Sequence, residues 1–129
     1  MMTKLHPTLC ATILAALATS SACANSHIVD IAWSADARFE HRAWVQPGKF
    51  VELCGKLNVG DHVRWRFEAS AAVDFNIHYH VGKDTEYPAK QTQVTTAQDA
   101  LRVTVREDHC WMWTNKSQQP VRVDARLQR

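Results

Sequence analysis

The chain has 129 residues, with 15 Lys and Arg against 13 Asp and Glu. All 13 acidic residues but only 14 of the basic ones lie after residue 24, so that part of the chain carries a net charge of about +1. A nearly neutral sequence without a basic run gives no electrostatic reason to expect nucleic acid or an anionic membrane surface as a partner.

The first 24 residues have the pattern of a secretory signal peptide. Lys4 precedes an apolar stretch from Leu9 to Ala18, and Ala22-Cys23-Ala24 provides the small residues of a cleavage site. We therefore predict a signal peptide at 1–24 and a single domain at 25–129 that is periplasmic or secreted.

The same segment raises the question of membrane attachment. Its apolar stretch is shorter than the ~20 residues that cross a bilayer as a helix, and no later segment is longer or more apolar. We therefore expect no transmembrane helix. Cleavage just before Cys23, with a lipid attached to it, is the alternative, although Ser20 stands where that pattern usually has Leu.

Alternating apolar and polar residues, the pattern of half-buried β-strands, dominate the sequence after residue 25. The clear segments are 62–69, 73–81, 101–106 and 121–127, and the weaker ones are 27–33 and 50–54. Turn residues separate them at Pro47-Gly48, Asn58–Asp61, Gly82–Asp84 and Lys116–Pro120. Because each segment has one apolar face, we predict an all-β fold, an antiparallel β-sandwich of about seven or eight strands, with a small barrel as the alternative.

The segment 73–81 is the main candidate for a functional surface. Alternate side chains of a strand share a face, so Tyr79 points to the core while four polar residues project together. These are Asp74, Asn76, His78 and His80. We predict that this row binds a partner protein or a small ligand. The alternative is that it is only the solvated face of a half-buried strand.

The imidazoles of His78 and His80 are also a starting point for a metal site, because His is the commonest metal ligand. A further ligand must come from elsewhere in the chain, and His109 and Met112 are candidates. Thioether and imidazole ligands together suit copper in its Cu(I) state. Copper binding by His78 and His80 with Met112 or His109 is therefore the second hypothesis, although no motif makes a cofactor certain.

After signal removal only two cysteines remain, Cys54 and Cys110. Two cysteines in an exported domain usually pair, so we predict a disulfide, and an oxidised Cys110 cannot ligate copper. We expect no enzyme activity, because His109 and Cys110 are neighbours that point to opposite faces of a strand and no catalytic motif is present. Asn115-Lys116-Ser117 fits a glycosylation sequon.

Three further features belong to one family pattern. Val73-Asp74-Phe75 places an aspartate between apolar residues, Cys54 precedes the first clear core strand, and Cys110 lies late in the chain near Asn115. With these features, the chain from about 50 to 127 resembles the GOLD domain, the lumenal β-sandwich of cargo receptors in the early secretory pathway. The coiled coil and membrane helix that follow that domain in those receptors are not seen here. The resemblance implies the same fold, the same bridge, and recognition rather than catalysis.

Overall fold

Seven β-strands account for most of residues 27–129, which are the residues described by this structure, a computed structural model. In chain order they are β1 (His27–Asp30), β2 (Arg38–Val45), β3 (Phe50–Lys56), β4 (His62–Val81), β5 (Asp84–Arg102), β6 (Asp108–Thr114) and β7 (Val121–Gln128). The predicted all-β class and number of strands are confirmed. The predicted signal peptide at 1–24 and the lipid attachment at Cys23 lie outside the described residues.

The strands form one sheet in the order β1-β3-β6-β4-β7-β2, with β5 attached to β4. All pairs are antiparallel except β1 with β3. One edge of β4 pairs with β5 along most of its length, while its other edge pairs with β7 over 64–69 and with β6 over 74–78. Because β4 changes partners midway, the sheet curls into a half-barrel around its core.

Aromatic side chains at the centre of the core join the two halves of the curled sheet. The ring of Phe67, in the first half of β4, lies 4.9 Å from that of Phe75 in the second half and 5.5 Å from that of Trp113 in β6. All three side chains are 1% exposed. Burying a side chain of this size contributes roughly 1.5–3 kcal/mol, so these contacts fix the curvature that positions the surface residues.

The sequence pattern and the structure differ at the bend of β4. The patterns at 62–69 and 73–81 indicate two strands, whereas the structure has one continuous strand. The pairing with β5 shifts register between Glu68 and Val73. A bulge of this kind bends a strand without ending it, which explains why the alternation breaks while the strand continues.

The expected strand at 101–106 is wrong in its bounds, because β5 ends at Arg102. Val103 follows it outside any strand but is still buried, and its backbone is hydrogen-bonded at 2.9 Å to both Gly60 and Asp61. Alternation here reflects burial rather than strand pairing. Most of β5 shows no apolar periodicity because it is an edge strand that is exposed on both faces. Within 27–129 there is no helix of the length and apolarity that a membrane crossing requires.

Candidate functional site

The candidate site lies on the outer face of the sheet where β3, β6 and the second half of β4 are neighbours. In their register, Glu52 of β3 lies opposite Met112 of β6, and Met112 lies opposite Asn76 of β4. The next row along contains Cys54, Cys110 and His78. Five side chains that share this surface are called the histidine face below: Glu52, Asn76, His78, His80 and Met112.

The predicted disulfide between Cys54 and Cys110 is confirmed. The two residues are directly opposite in the antiparallel pair β3–β6, with Cα atoms 4.1 Å apart and 56 positions apart in sequence. Donor atoms of Glu52, His78 and Cys110 all lie within 4.8 Å of one another, which is a distance suited to a metal ion. Because the Cys110 sulfur is bonded to Cys54, it is not a ligand, and Glu52 and His78 remain as the donors of that cluster.

His78 is held in one orientation, and its surroundings favour the neutral form of its imidazole. Its side chain is buried, and its Nδ1 lies 2.8 Å from the Asn76 amide oxygen. An amide oxygen only accepts, so Nδ1 carries the hydrogen and Nε2 keeps a free lone pair. Burial lowers the pKa of His78 below its usual 6.5, and the neighbouring imidazole of His80 lowers it further. The two ring centroids are 5.3 Å apart. Neutral imidazole with an open nitrogen is the form that binds metals or accepts hydrogen bonds.

Glu52 is the residue of this face that the sequence analysis missed. It is partly buried, and burial raises the pKa of its carboxyl above the usual 4.5, although His80 opposes that effect. Its Oε2 lies 3.6 Å from the Cys54 sulfur, and within residues 27–129 it makes no ion pair. Its position two residues before Cys54 was the available signal, because alternate residues of a strand share a face.

Asp74, which was predicted to bind a ligand, is occupied by contacts within the protein. Its Oδ2 lies 2.6 Å from the Lys116 ammonium, and its Oδ1 accepts hydrogen bonds from the backbone and side-chain amides of Gln93 at 3.0 and 2.9 Å. Gln93 has a φ of 53°, which is unusual outside glycine. The interaction with Lys116, followed by those with Gln93, lowers the pKa of Asp74. This carboxylate therefore holds an irregularity of β5 in place.

His109, a candidate metal ligand, lies on the opposite face of the sheet from His78. It is 1% exposed, its Nδ1 donates to the Glu107 carbonyl at 2.9 Å, and its ring packs on Tyr79 with centroids 4.9 Å apart. The structure therefore brings Met112, but not His109, to the face that carries His78 and His80.

No protein-family model matches this sequence, and no curated protein sequence does. Solved structures with a similar fold include the pre-peptidase C-terminal domain of a collagenase from Bacillus anthracis, with 5% identity, TM-score 0.61, and coverage of 82% of this chain and 99% of that one. PliG from Aeromonas hydrophila, a periplasmic inhibitor of g-type lysozyme, has 8% identity, TM-score 0.57, and coverage of 81% and 96%. The mitogen from Yersinia pseudotuberculosis has 11% identity, TM-score 0.56, and coverage of 70% and 84%. At these identities the likeness shows a shared β-sandwich-like fold alone.

Proposed function

We propose that this protein is an extracytoplasmic binding module without catalytic activity, and that its histidine face contacts a partner protein. The disulfide supports the location, because such bridges persist in oxidising compartments. The observation that carries the proposal is Glu52, a partly buried carboxylate that makes no ion pair within residues 27–129 and whose oxygen lies within 4.8 Å of a ring nitrogen of His78. Partly buried ionisable groups destabilise the free protein, and a complementary partner offsets that cost.

An exposed aromatic residue beside these groups favours a protein as the partner. Tyr87 is 49% exposed, its ring centroid lies 6.0 Å from that of His78, and the Lys90 ammonium lies 4.8 Å from its ring centre. Tyr is enriched at protein interfaces because it buries a large area and still offers a hydrogen bond. The GOLD-like features of the sequence and the inhibitor with a similar fold also support recognition of a protein.

Purified g-type lysozyme, the target named for the Aeromonas protein, is the first probe. We expect the protein to bind immobilised lysozyme in surface plasmon resonance, and His78→Ala/His80→Ala to weaken binding at least tenfold. His62→Ala, which removes an exposed imidazole from the other half of β4, is the matched control and should bind like the wild type. Absence of binding overturns lysozyme as the partner, and binding that survives the double substitution overturns the histidine face as the contact surface.

Copper is the second candidate ligand of this face, and the donor set favours it. Glu52 and His78 present donor atoms within 4.8 Å, the Nε2 of His78 is open, and Met112 lies in register between Glu52 and Asn76. Carboxylate, imidazole and thioether groups include the soft ligands that Cu(I) prefers, and His80 offers a second imidazole nearby.

Copper titration of the purified protein tests this candidate. We expect about one equivalent to bind with loss of Trp fluorescence, and His78→Ala or Met112→Leu to lower the affinity at least tenfold. His62→Ala again serves as the control, since it removes an imidazole outside the histidine face. No uptake at micromolar copper removes copper as the ligand, and equal loss in the control removes the histidine face as its site.

A further inference from the structure

The outer face of the other half of the sheet is rich in arginine. β2, β7 and the first half of β4 are neighbours there, and the side chains that alternate with the buried ones project outward. Six of them form what we call the arginine face: Arg38, Arg42, Arg64, Arg66, Arg122 and Arg126. The same outward rows contain three carboxylates, those of Glu40, Glu68 and Asp124. Positive charge is therefore concentrated on this face, although the chain is nearly neutral.

Two of the six guanidinium groups make no ion pair with any residue in the described range 27–129. Carboxylates pair with the other four: Arg42 and Arg122 with Asp124, Arg126 with Glu40, and Arg38 with Asp36. Arg64 and Arg66 make no ion pair and no side-chain hydrogen bond within residues 27–129. Both side chains are exposed on adjacent outward positions of one strand, so both are available to an anion from outside.

The strand register adds a second feature at the same place. Arg66 lies directly opposite Arg126 in the pairing of β4 with β7. Like charges in opposed positions repel and destabilise a sheet. An anion bound between the two guanidinium groups removes that repulsion, and guanidinium groups bind carboxylate, sulfate or phosphate oxygens through two parallel hydrogen bonds.

Four residues of the arginine face line an open depression with a volume of about 790 Å³, namely Arg38, Arg64, Arg66 and Arg126. Its lining also contains the amides of Gln98 and Gln128 and the carboxylates of Glu40 and Asp99. Hydrogen-bond donors and acceptors are therefore mixed around the unpaired charges. A ligand that carries only negative charge is repelled by the two carboxylates, whereas a ligand that also has hydroxyl groups donates hydrogen bonds to them.

An exposed indole lies further along the same face. Trp44 is 53% exposed and lies opposite Arg122 in the register of β2 with β7. It is six positions along β2 from Arg38, a distance of roughly 20 Å at ~3.3 Å per residue of strand. An exposed aromatic ring offers an apolar surface on which a flat, partly apolar ligand packs. The arginine face thus extends along β2 from the depression at Arg38 to the exposed ring of Trp44.

From these observations we infer that the arginine face binds an anionic carbohydrate chain. Its acidic groups bind Arg64 and Arg66, its hydroxyl groups bind the amides and carboxylates of the depression, and a sugar ring packs on Trp44. A sugar chain offers several hydroxyl donors per residue to the carboxylates of Glu40 and Asp99, whereas a polyglutamate chain offers one backbone amide per residue. A nucleic acid carries its charge too densely for a face with three carboxylates. This site is on a different surface from the histidine face and does not depend on it.

Isothermal titration with defined oligomers tests the inference. The probes are a heparin hexasaccharide, whose acidic groups include sulfates, and hexagalacturonate, whose acidic groups are all carboxylates. Neutral maltohexaose, hexaglutamate and a hexathymidylate serve as comparisons. We expect at least one acidic sugar to bind at least tenfold more tightly than every comparison. No binding of either acidic sugar at millimolar concentration overturns the inference, as does hexaglutamate or hexathymidylate binding equally well.

Matched variants locate the binding. Arg64→Gln/Arg66→Gln should weaken acidic-sugar binding at least tenfold, and Trp44→Ala should weaken it several-fold. Lys49→Gln/Lys83→Gln removes the same charge from two exposed loop positions and should have no effect. Equal loss in both double variants overturns the site, because it shows a response to total charge. His78→Ala/His80→Ala should bind the sugars like the wild type, which separates this test from that of the proposed function.

Discussion

The amide oxygen of Asn76 accepts the Nδ1 hydrogen of His78 at 2.8 Å, and this bond determines which nitrogen of the imidazole is open to a ligand. Asn76→Leu keeps the approximate size of the side chain but removes the acceptor. We expect the Nδ1–H tautomer of His78 to dominate in the wild type and a mixture with the Nε2–H tautomer to form in the variant. Long-range ¹⁵N–¹H correlation spectra distinguish the two forms.

The same substitution should affect a bound metal. Groups that orient a metal-bound His typically contribute 10–100-fold to affinity, so Asn76→Leu is expected to weaken copper binding by about that factor. Thr114→Val, a substitution at the end of β6 that leaves the Asn76–His78 bond in place, is the control. A wild-type spectrum with mainly Nε2–H would contradict the assignment.

Burial of His78 predicts a pH dependence of stability. Its folded-state pKa is lowered from 6.5, so between the folded and unfolded pKa values the unfolded chain binds more protons. The free energy of unfolding should therefore fall as the pH drops from about 7 through that window. His78→Gln should flatten the fall, while His41, whose pKa is also lowered by burial, should leave a residual slope. Urea unfolding of the wild type and of His78→Gln at pH 7.5, 6.0 and 5.0 measures the free energy of unfolding of each protein. The same pH dependence in the two proteins would contradict the prediction.

Glu52 gives a pH dependence of stability that is opposite in sign to that of His78. Its folded-state pKa is raised from 4.5, so its favourable contribution to stability is present below pH 4.5 and is lost as the pH rises through the folded value. At pH 7 the ionised carboxylate destabilises the folded protein. Glu52→Gln should therefore raise the free energy of unfolding by a few tenths to about 1 kcal/mol. The difference should shrink toward pH 4. Glu86→Gln, at an exposed position of β5, is the control, and a destabilised Glu52→Gln protein would refute the argument.

Local features of this fold were predictable from the sequence. Alternation over 73–81 placed His78 and His80 on one face and Tyr79 on the other, because a strand has a side-chain period of two. The count of cysteines after residue 24 predicted the bridge between Cys54 and Cys110, which the structure contains. Each of these predictions needs only neighbouring residues or a simple count.

Features that depend on which strands become neighbours were not predictable. Glu52 and His78 are 26 positions apart in the sequence, and they meet only because β6 lies between β3 and β4. The concentration of arginines likewise arises from the pairing of β2 with β7 and of β7 with β4. A single sequence shows the alternation within each strand but not the order of the strands. The net charge of the chain therefore gives no sign that the arginines lie together on one face.

Asp74 should be important for stability rather than for ligand binding. Asp74→Ala removes the contacts with Lys116 and with both amides of Gln93, and leaves the strained backbone of Gln93 without its acceptor. We expect a loss of roughly 1–3 kcal/mol in the free energy of unfolding. Because the pKa of Asp74 is lowered from 3.8, its contribution is present above pH 3.8 and is lost as the pH falls through the folded value.

Unfolding of Asp74→Ala and the wild type at pH 7 and pH 3 tests this. The stability gap should narrow at the lower pH, because protonation removes the same interactions from the wild type. Asp84→Ala, at the exposed first position of β5, should change stability by no more than about 0.5 kcal/mol. A gap that stays constant down to pH 3 would contradict the role of the ionised carboxylate.

Asn115 is completely buried and uses its whole side-chain amide to hold the connection from β6 to β7. Its Nδ2 donates to the Val45 and Gln119 carbonyls at 2.9 and 2.7 Å, and its Oδ1 accepts from the Ser117 amide and hydroxyl at 2.8 and 2.7 Å. The sequon at this position is therefore closed in the folded protein, because a glycan would have to replace one of the hydrogens on Nδ2.

Asn115→Asp replaces the two donated hydrogens with an acceptor that faces two carbonyl groups. Leaving buried polar groups unsatisfied costs about 1–3 kcal/mol each, and more for a charged group, so we expect a loss of at least about 3 kcal/mol in the free energy of unfolding. Ser117→Ala abolishes the sequon but keeps Asn115, and it should cost about 1 kcal/mol. Chemical unfolding of the two variants at pH 7 distinguishes the effect of losing the buried amide from the effect of losing the sequon alone. If Asn115→Asp is as stable as Ser117→Ala, the buried amide does not hold this connection.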